Sequence, residues 1–206
     1  MALVAAAALY PYIPGLDSGA DAALDATLAA VESQLASWCG WPPIVTGGTP
    51  GSVSWDAATR TFYLDGPSED EPRRLQLPVA PVTAIASIYD DPTWGYTGAS
   101  YLVASGDYTL IEDTGEVWLN PDASWSWSRG RRNIRVVCTA GYAAATVAMA
   151  EAIKRQAAAA YQIQKGGAGR TRANGKEVSA TYDLPPIRAD VRHLLRQARC
   201  PSIWLS

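Results

Sequence analysis

The side chains that most often do chemistry are few in this chain and widely scattered. Its 206 residues include one histidine, His193, and three cysteines, Cys39, Cys138 and Cys200. A hydrolytic triad needs a histidine oriented by a carboxylate and paired with a nucleophile. His193 instead stands among arginines on a helical stretch, and the chain has no Gly-x-Ser-x-Gly elbow. A metal site needs several ligands at workable spacing, and three distant cysteines with no Cys-x-x-Cys pair do not supply them. These thiols read as buried and free, in a reducing compartment. The expectation is therefore a protein without catalytic residues, metal or cofactor.

Other chemical patterns are partial. Glu69-Asp70-Glu71 and Asp90-Asp91 are acid pairs. A glycosidase holds two carboxylates across a sugar from separate elements. Adjacent acids in turn segments are expected to be solvated. Gly166-Gly167-Ala168-Gly169-Arg170 is glycine-rich and basic. It lacks the order of a phosphate loop and follows a helix instead of a strand, so it reads as a helix terminator and a mobile loop. Aromatic use is lopsided, with eight Trp and ten Tyr against one Phe. Trp and Tyr join apolar area to a hydrogen-bonding tip, which suits interfaces. Trp125 and Trp127 on a polar loop, with Trp94 and Tyr96, could stack sugars or bases. A carbohydrate- or cell-surface-binding module is the alternative that they support.

The most directed pattern is cationic. Residues 165–206 carry a net charge of +5 and residues 1–164 a net of −8, within a total of −3. Arg188, Arg192, Arg196 and Arg199 recur at spacings of four, four and three, which places them along one ridge of a helix. Arg170, Arg172 and Lys176 precede them on the glycine-rich loop. A basic tail on an acidic body fits an acidic partner or a phosphate backbone, and equally a solvated helix face. A small nucleic-acid-binding protein is thus a further rival, to be recognised by salt-dependent binding that vanishes with the tail.

These residues must be positioned by a mixed set of elements. Residues 1–17 read as an arm whose alanine run is ended by Tyr10-Pro11 and Ile13-Pro14. It has no basic start and is too short to span a bilayer, so a cytosolic product is expected. Asp17, Ser18 and Asp21 are candidate N-caps for a helix carrying Leu24, Leu28, Val31, Leu35 and Trp38 as one apolar stripe. Gly40 and Pro42-Pro43 end it. Over 44–142 short β-prone runs alternate with turn residues. Expected strands are Thr61–Leu64, Leu75–Leu77, Ala84–Tyr89, Tyr108–Ile111, Glu116–Leu119 and Ile134–Thr139, with a hairpin turn at Asp113-Thr114-Gly115. Helix resumes with Val147, Ala150, Ile153, Ala157, Ala160, Tyr161 and Gln164 on one face. After the loop come a β-prone piece at Val178–Tyr182 and a last helix starting at Pro185-Pro186, with Val191, Leu194, Leu195 and Ala198 as its stripe.

The expected fold class is α+β: a helical core (N-terminal helix, long Ala-rich helix, C-terminal helix) with an inserted small antiparallel β subdomain. The expected division is an arm at 1–17, a helical core at 18–43 and 143–165, the insertion at 44–142, and a flexible loop with a C-terminal docking helix at 166–206.

Five passages taken in order resemble one family. They are the acidic-capped helix from Leu24 to Gly40, and Leu75-Gln76-Leu77-Pro78-Val79-Ala80-Pro81-Val82-Thr83-Ala84-Ile85 followed by Ser87-Ile88-Tyr89-Asp90-Asp91. Next are Tyr108-Thr109-Leu110 with Gly115 and Trp118, and then Ile134 to Tyr142 leading into an Ala-rich helix. Last is Glu177 to Pro185 leading into Val191-Arg192-His193-Leu194-Leu195. Their order and spacing resemble the head–tail connector (adaptor) proteins of long-tailed bacteriophages and gene transfer agents, over roughly residues 18–200. The chain departs from that pattern at Ala143–Met149, where the family usually places a proline.

The resemblance implies a structural, non-enzymatic virion protein, assembled in the bacterial host cytoplasm. Such proteins form a ring, usually twelve-fold, beneath the portal of the capsid. The ring extends the DNA channel and meets the neck or tail-completion protein. On that basis Arg188, Arg192, Arg196, Arg199, Lys176, Arg170 and Arg172 would dock on the portal. Trp94, Trp125, Trp127 and Tyr182 would contact a neighbouring subunit or neck protein. Contact with packaged DNA in the lumen would be non-specific, and no membrane is involved.

Overall fold

A computed structural model describes residues 3–14, 21–46, 49–165 and 184–198. The chain divides into two compact units, one formed by residues on either side of an intervening segment and the other by that segment, Pro43–Ala143. The fold is α+β.

The first unit is helical. A 3-10 helix over Ala6–Tyr12 packs Leu9 inward, and it runs through Pro11 instead of ending before it. A short 3-10 turn gives up one donor at proline without breaking, and Ile13-Pro14 supplies the stop. Helix α1 spans Asp21–Trp38, and Leu24, Leu28, Val31 and Leu35 are all fully buried. Its end is closed by Gly40 at φ 81°. The Gly40 N–H donates to Ser37 O and the Trp41 N–H to Ala36 O, the paired bonds of a Schellman motif. Helix α2 spans Val147–Lys165. Thr146 starts it, its Oγ1 accepting from the Met149 N–H at 3.3 Å. The buried face of α2 is Met149, Ala152, Ile153, Gln156, Ala157, Ala160 and Tyr161, whereas Val147 is 89% exposed. Ile153, Ala157, Ala160 and Tyr161 of the expected face are buried, while Val147 is not, and Met149, Ala152 and Gln156 take core positions that were not expected. Gln156 is drawn inward by hydrogen-bonding work described below, which periodicity of apolar residues does not register. Small alanines allow α1 and α2 to pack against each other. Helix α3, Ala189–Leu194, continues as a 3-10 turn over Leu195–Ala198 and packs on α2 through Val191 and Leu195, both fully buried.

The second unit is built of antiparallel strands. β1 (Pro43–Thr46) and β2 (Thr49–Val53) form a two-stranded ribbon that the sequence reading missed. Its prolines and glycines resemble loop punctuation. The strands β3 (Ala58–Leu64), β4 (Arg74–Gln76), β5 (Val82–Asp90), β6 (Tyr108–Ile111), β7 (Glu116–Leu119) and β8 (Ile134–Ala140) coincide with the expected runs within a few residues. They form two sheets of order β3-β8-β5 and β4-β7-β6. β8 is central and alternates cleanly, with Ile134, Val136, Cys138 and Ala140 buried. Leu77, Val79 and Val82 of the proline-rich passage are also fully buried. Gly141, at φ 125°, lets the chain turn beside Asp56, whose carbonyl oxygen occupies the space that a Cβ would need.

Candidate functional site

Two surfaces carry the residues of interest, one on each unit. On the β unit, β5 ends at Asp90 and the facing strand β8 begins at Ile134. The loops leaving these ends are held by two buried carboxylates, Asp90 at 3% and Asp91 at 1% exposure. The expectation of solvated turn acids is therefore corrected for this pair, whereas Glu69, Asp70 and Glu71 are exposed as expected. Asp90 Oδ2 accepts from the Ser128 N–H at 2.7 Å and the Trp125 indole at 3.2 Å, and its Oδ1 accepts from the Ser128 hydroxyl and the Asn133 amide. Asp91 Oδ1 accepts from the Thr93 N–H at 2.8 Å and the Thr93 hydroxyl at 2.6 Å, and Oδ2 from the Tyr96 N–H at 2.7 Å. Burial alone would raise the Asp91 carboxyl, but these donors outweigh it and hold the group below its ordinary value.

The three tryptophans therefore have different fates. Trp127 is buried, its indole donating to Arg73 O at 3.4 Å. Trp125 is half-buried against Asp90. The expected exposure fails for these two because loop 121–132 folds back onto the buried Asp90 carboxylate and the Arg73 carbonyl. A sugar-stacking platform built on them loses its exposed faces. Trp94 alone stands out, 63% exposed, with its indole bonded to Arg131 O at 3.1 Å.

Around Trp94 lies a compact aromatic and arginine patch. Trp94, Tyr96 and Arg132 have φ of 63°, 51° and 52°, a left-handed region that such side chains adopt only when neighbours enforce it. Here the enforcing groups are Asp91 and the Tyr96 hydroxyl, which donates to Arg132 O. The Tyr63 and Tyr96 rings lie 5.3 Å apart. Arg132 sits over Tyr63 at 5.2 Å, and Arg135 over Tyr89 at 4.7 Å and Tyr96 at 5.3 Å. Of these, only Tyr96 and Trp94 were visible as candidates in the sequence. An Asp-Pro-Thr beginning for the loop, with the acid capping the residue two on, was the available signal.

On the helical unit the C-terminal segment is stapled to α2. Gln156 is fully buried; its amide donates to Pro185 O at 3.2 Å and Pro186 O at 3.4 Å, and its oxygen accepts from the Arg188 N–H at 3.3 Å. Gln34 of α1 donates to the same Pro185 O at 3.1 Å. With their carbonyls taken this way, Pro185 and Pro186 stay non-helical and α3 starts at Ala189, four residues later than expected. The arginine ridge is consequently broken. Arg188 precedes the helix and pairs with Asp190 at 3.0 Å. Arg192 is exposed and donates to Ile187 O at 2.9 Å, and Arg196 is exposed on the 3-10 turn. Arg170, Arg172, Lys176, Tyr182 and Arg199 lie outside the described residues.

A chain of polar contacts ties this unit together. Tyr12 donates to Glu151 at 2.7 Å, and Arg155 binds Glu151 at 2.7 Å and Asp190 at 3.3 Å. The Tyr12 hydrogen bond, then Arg155, holds the Glu151 carboxyl below its ordinary value, and Arg188 does the same for Asp190. Cys39 and Cys138 are buried and form no disulfide among the described residues, and burial pushes the Cys138 thiol up to about 11, where it is a poor nucleophile. Among the described residues no group of three or more His, Cys, Asp or Glu is placed to hold a metal ion, and no helix is long and apolar enough to cross a membrane.

Solved structures share this architecture. A chain of the virion of a native gene transfer agent (GTA) particle matches with a TM-score of 0.54 at 18% identity, over 95% of this chain and 88% of that one. A chain of the neck of an empty GTA particle, computed with C6 symmetry, matches with a TM-score of 0.51 at 19% identity over the same shares. The fold is one found in GTA particles. At this identity the likeness is one of fold. No protein-family model matches the chain, and no curated protein matches it.

Proposed function

We propose that this chain is a structural head–tail connector (adaptor) subunit of a tailed phage or phage-like particle. It assembles as a ring beneath the portal, twelve-fold in the family it resembles, extends the DNA channel and joins the head to the neck or tail. The observation that carries this reading is the shared fold with a chain of a GTA neck, extending over 95% of the present chain. The C6 symmetry used for that neck is compatible with a ring of twelve subunits. The order of the five sequence passages supports the same reading independently of geometry.

In this role the protein is a virion component, and its partners are the portal, its own copies and the next neck protein. A closed ring repeats one contact around its circumference, so modest contacts sum to a stable assembly. Arg192 and Arg196, both exposed, are the described portal-docking candidates, with Arg188 partly engaged by Asp190. The masking of α3's apolar face by α2 makes the helix part of the folded subunit before docking. Removing residues 166–206 would therefore uncover the α2 face that holds Val191 and Leu195, and point substitutions are the cleaner probe. The test is electron microscopy of the purified chain with and without portal-bearing heads. A ring seated at the portal vertex is expected; heads that stay bare at saturating protein would overturn the proposal.

A further inference from the structure

The β unit presents two chemically opposite ends. At one end of β5 stands the patch of Trp94, Tyr63, Arg131 and Arg132. At the other end the Val82 N–H donates to Glu112 O at 2.9 Å, which fixes the β6–β7 hairpin tip there. β5 runs nine residues, so the two features are separated by roughly 25 Å of strand. The tip is apolar and acidic: Ile111 is 42% exposed, and Glu112 and Asp113 are exposed with no salt bridge among the described residues. It is also rigid. The Gly115 N–H closes on Ile111 O, the Leu77 N–H donates to Gly115 O, and Gln76 reaches Thr114 O at 2.9 Å. At the patch, Arg131 and Arg132 are exposed and form no ion pair among the described residues, and Trp94 projects from a backbone locked by Asp91.

We infer that the occupant of the Trp94–Arg132 patch is the Ile111–Thr114 hairpin tip of a second copy of this chain. Glu112 and Asp113 meet Arg131 and Arg132, and Ile111 meets the Trp94 and Tyr63 rings. The pairing is heterologous: each subunit offers its tip to one neighbour and its patch to the other. A closed ring requires such an arrangement, whereas a two-fold dimer would bring the same surface together twice. Trp, Tyr and Arg are also the residue types that dominate interface energetics, most strongly when pre-ordered, because little freedom is then lost on binding. The inference rests on the ring reading above and names the contact that builds the ring.

Charge reversal at each end tests it. The full chain is prepared as E112R/D113R and as R131E/R132E, with circular dichroism and thermal melting confirming that each variant folds as the wild type does. Rings on portal-bearing heads are counted by electron microscopy. Each variant alone should form rings at least about tenfold less often than wild type, since every interface then opposes like charges. An equal mixture should restore them, because alternating subunits pair a reversed tip with a reversed patch and a native tip with a native patch. Trp94→Ala should weaken assembly in the same assay without change in melting temperature.

Wild-type rings together with normal rings from each variant alone would overturn this contact while leaving the connector reading standing. Failure of the mixture to restore rings would also overturn it. Bare heads with wild-type protein would instead remove the connector reading itself. Normal ring formation by R131E/R132E with loss of salt-sensitive binding to duplex DNA would assign the patch to nucleic acid and overturn the tip-to-patch contact.

Discussion

Asp90 shows how one buried carboxylate can organise a surface that it does not reach. It receives the backbone and hydroxyl of Ser128, the Trp125 indole and the Asn133 amide, and these bonds close the 121–132 loop. Asp90→Ala leaves several buried donors unpaired, and a buried donor without an acceptor costs more than the bond was worth. A loss of about 3 kcal/mol is expected, read by urea denaturation followed through tryptophan fluorescence. Asp90 and Asp91 were in plain view in the sequence, but their donors arrive from positions up to 43 residues later, so nothing local marked them as buried. Gly141 was more legible, since a glycine at the end of a β-prone run before a helix invites a turn. Gly141→Ala forces a Cβ against the Asp56 carbonyl at φ 125° and should cost about 3 kcal/mol in the same assay.

Elements were legible where periodicity alone defines them. The α1 stripe, the extent of α2 and the central alternation of β8 follow from apolar spacing. What periodicity could not supply was the polar stapling of one element to another. Gln156 sits at a core position of α2 because three backbone groups of residues 185–188 need its amide. Gln156→Leu fills the space but leaves the Arg188 N–H without its acceptor. Hydrogen exchange in residues 184–198 should rise at least about tenfold while α1 keeps its protection, since local opening costs less than global unfolding.

The contact between the 3-10 arm and α2 carries a pH signature. Glu151 and Asp190 have carboxyls held below their ordinary values, so the folded unit binds their protons more weakly than the unfolded chain does. Their contribution is present above the ordinary carboxylate range, about pH 4, and is lost as pH falls through the lowered values. The protection of arm amides, relative to the intrinsic exchange rate at each pH, should therefore fall below about pH 4, and Glu151→Gln should reduce that dependence. Both groups are partly exposed, so the effect is confined to docking of the arm, through Glu151, and of α3, through Asp190, on α2.

At the scale of the molecule the chain is an acidic body with a basic end, and the sign of that asymmetry bears on assembly. The net of +5 over residues 165–206 against −8 over the rest favours an acidic partner at the basic end. The described arginines divide by their surroundings. Arg188 is already neutralised by Asp190, and Arg155 by Glu151 and Asp190, whereas the Arg192 and Arg196 side chains are exposed and form no salt bridge among the described residues. Arg192→Glu with Arg196→Glu should therefore leave melting within about 2 °C of wild type, as surface changes usually do. It should abolish attachment to portal-bearing heads in a sedimentation assay. Because steering between exposed charges is screened beyond about 8–10 Å at physiological salt, wild-type attachment should slow at about 0.5 M NaCl. Unchanged attachment by the doubly substituted chain would move the docking role away from α3 and toward the residues that precede it.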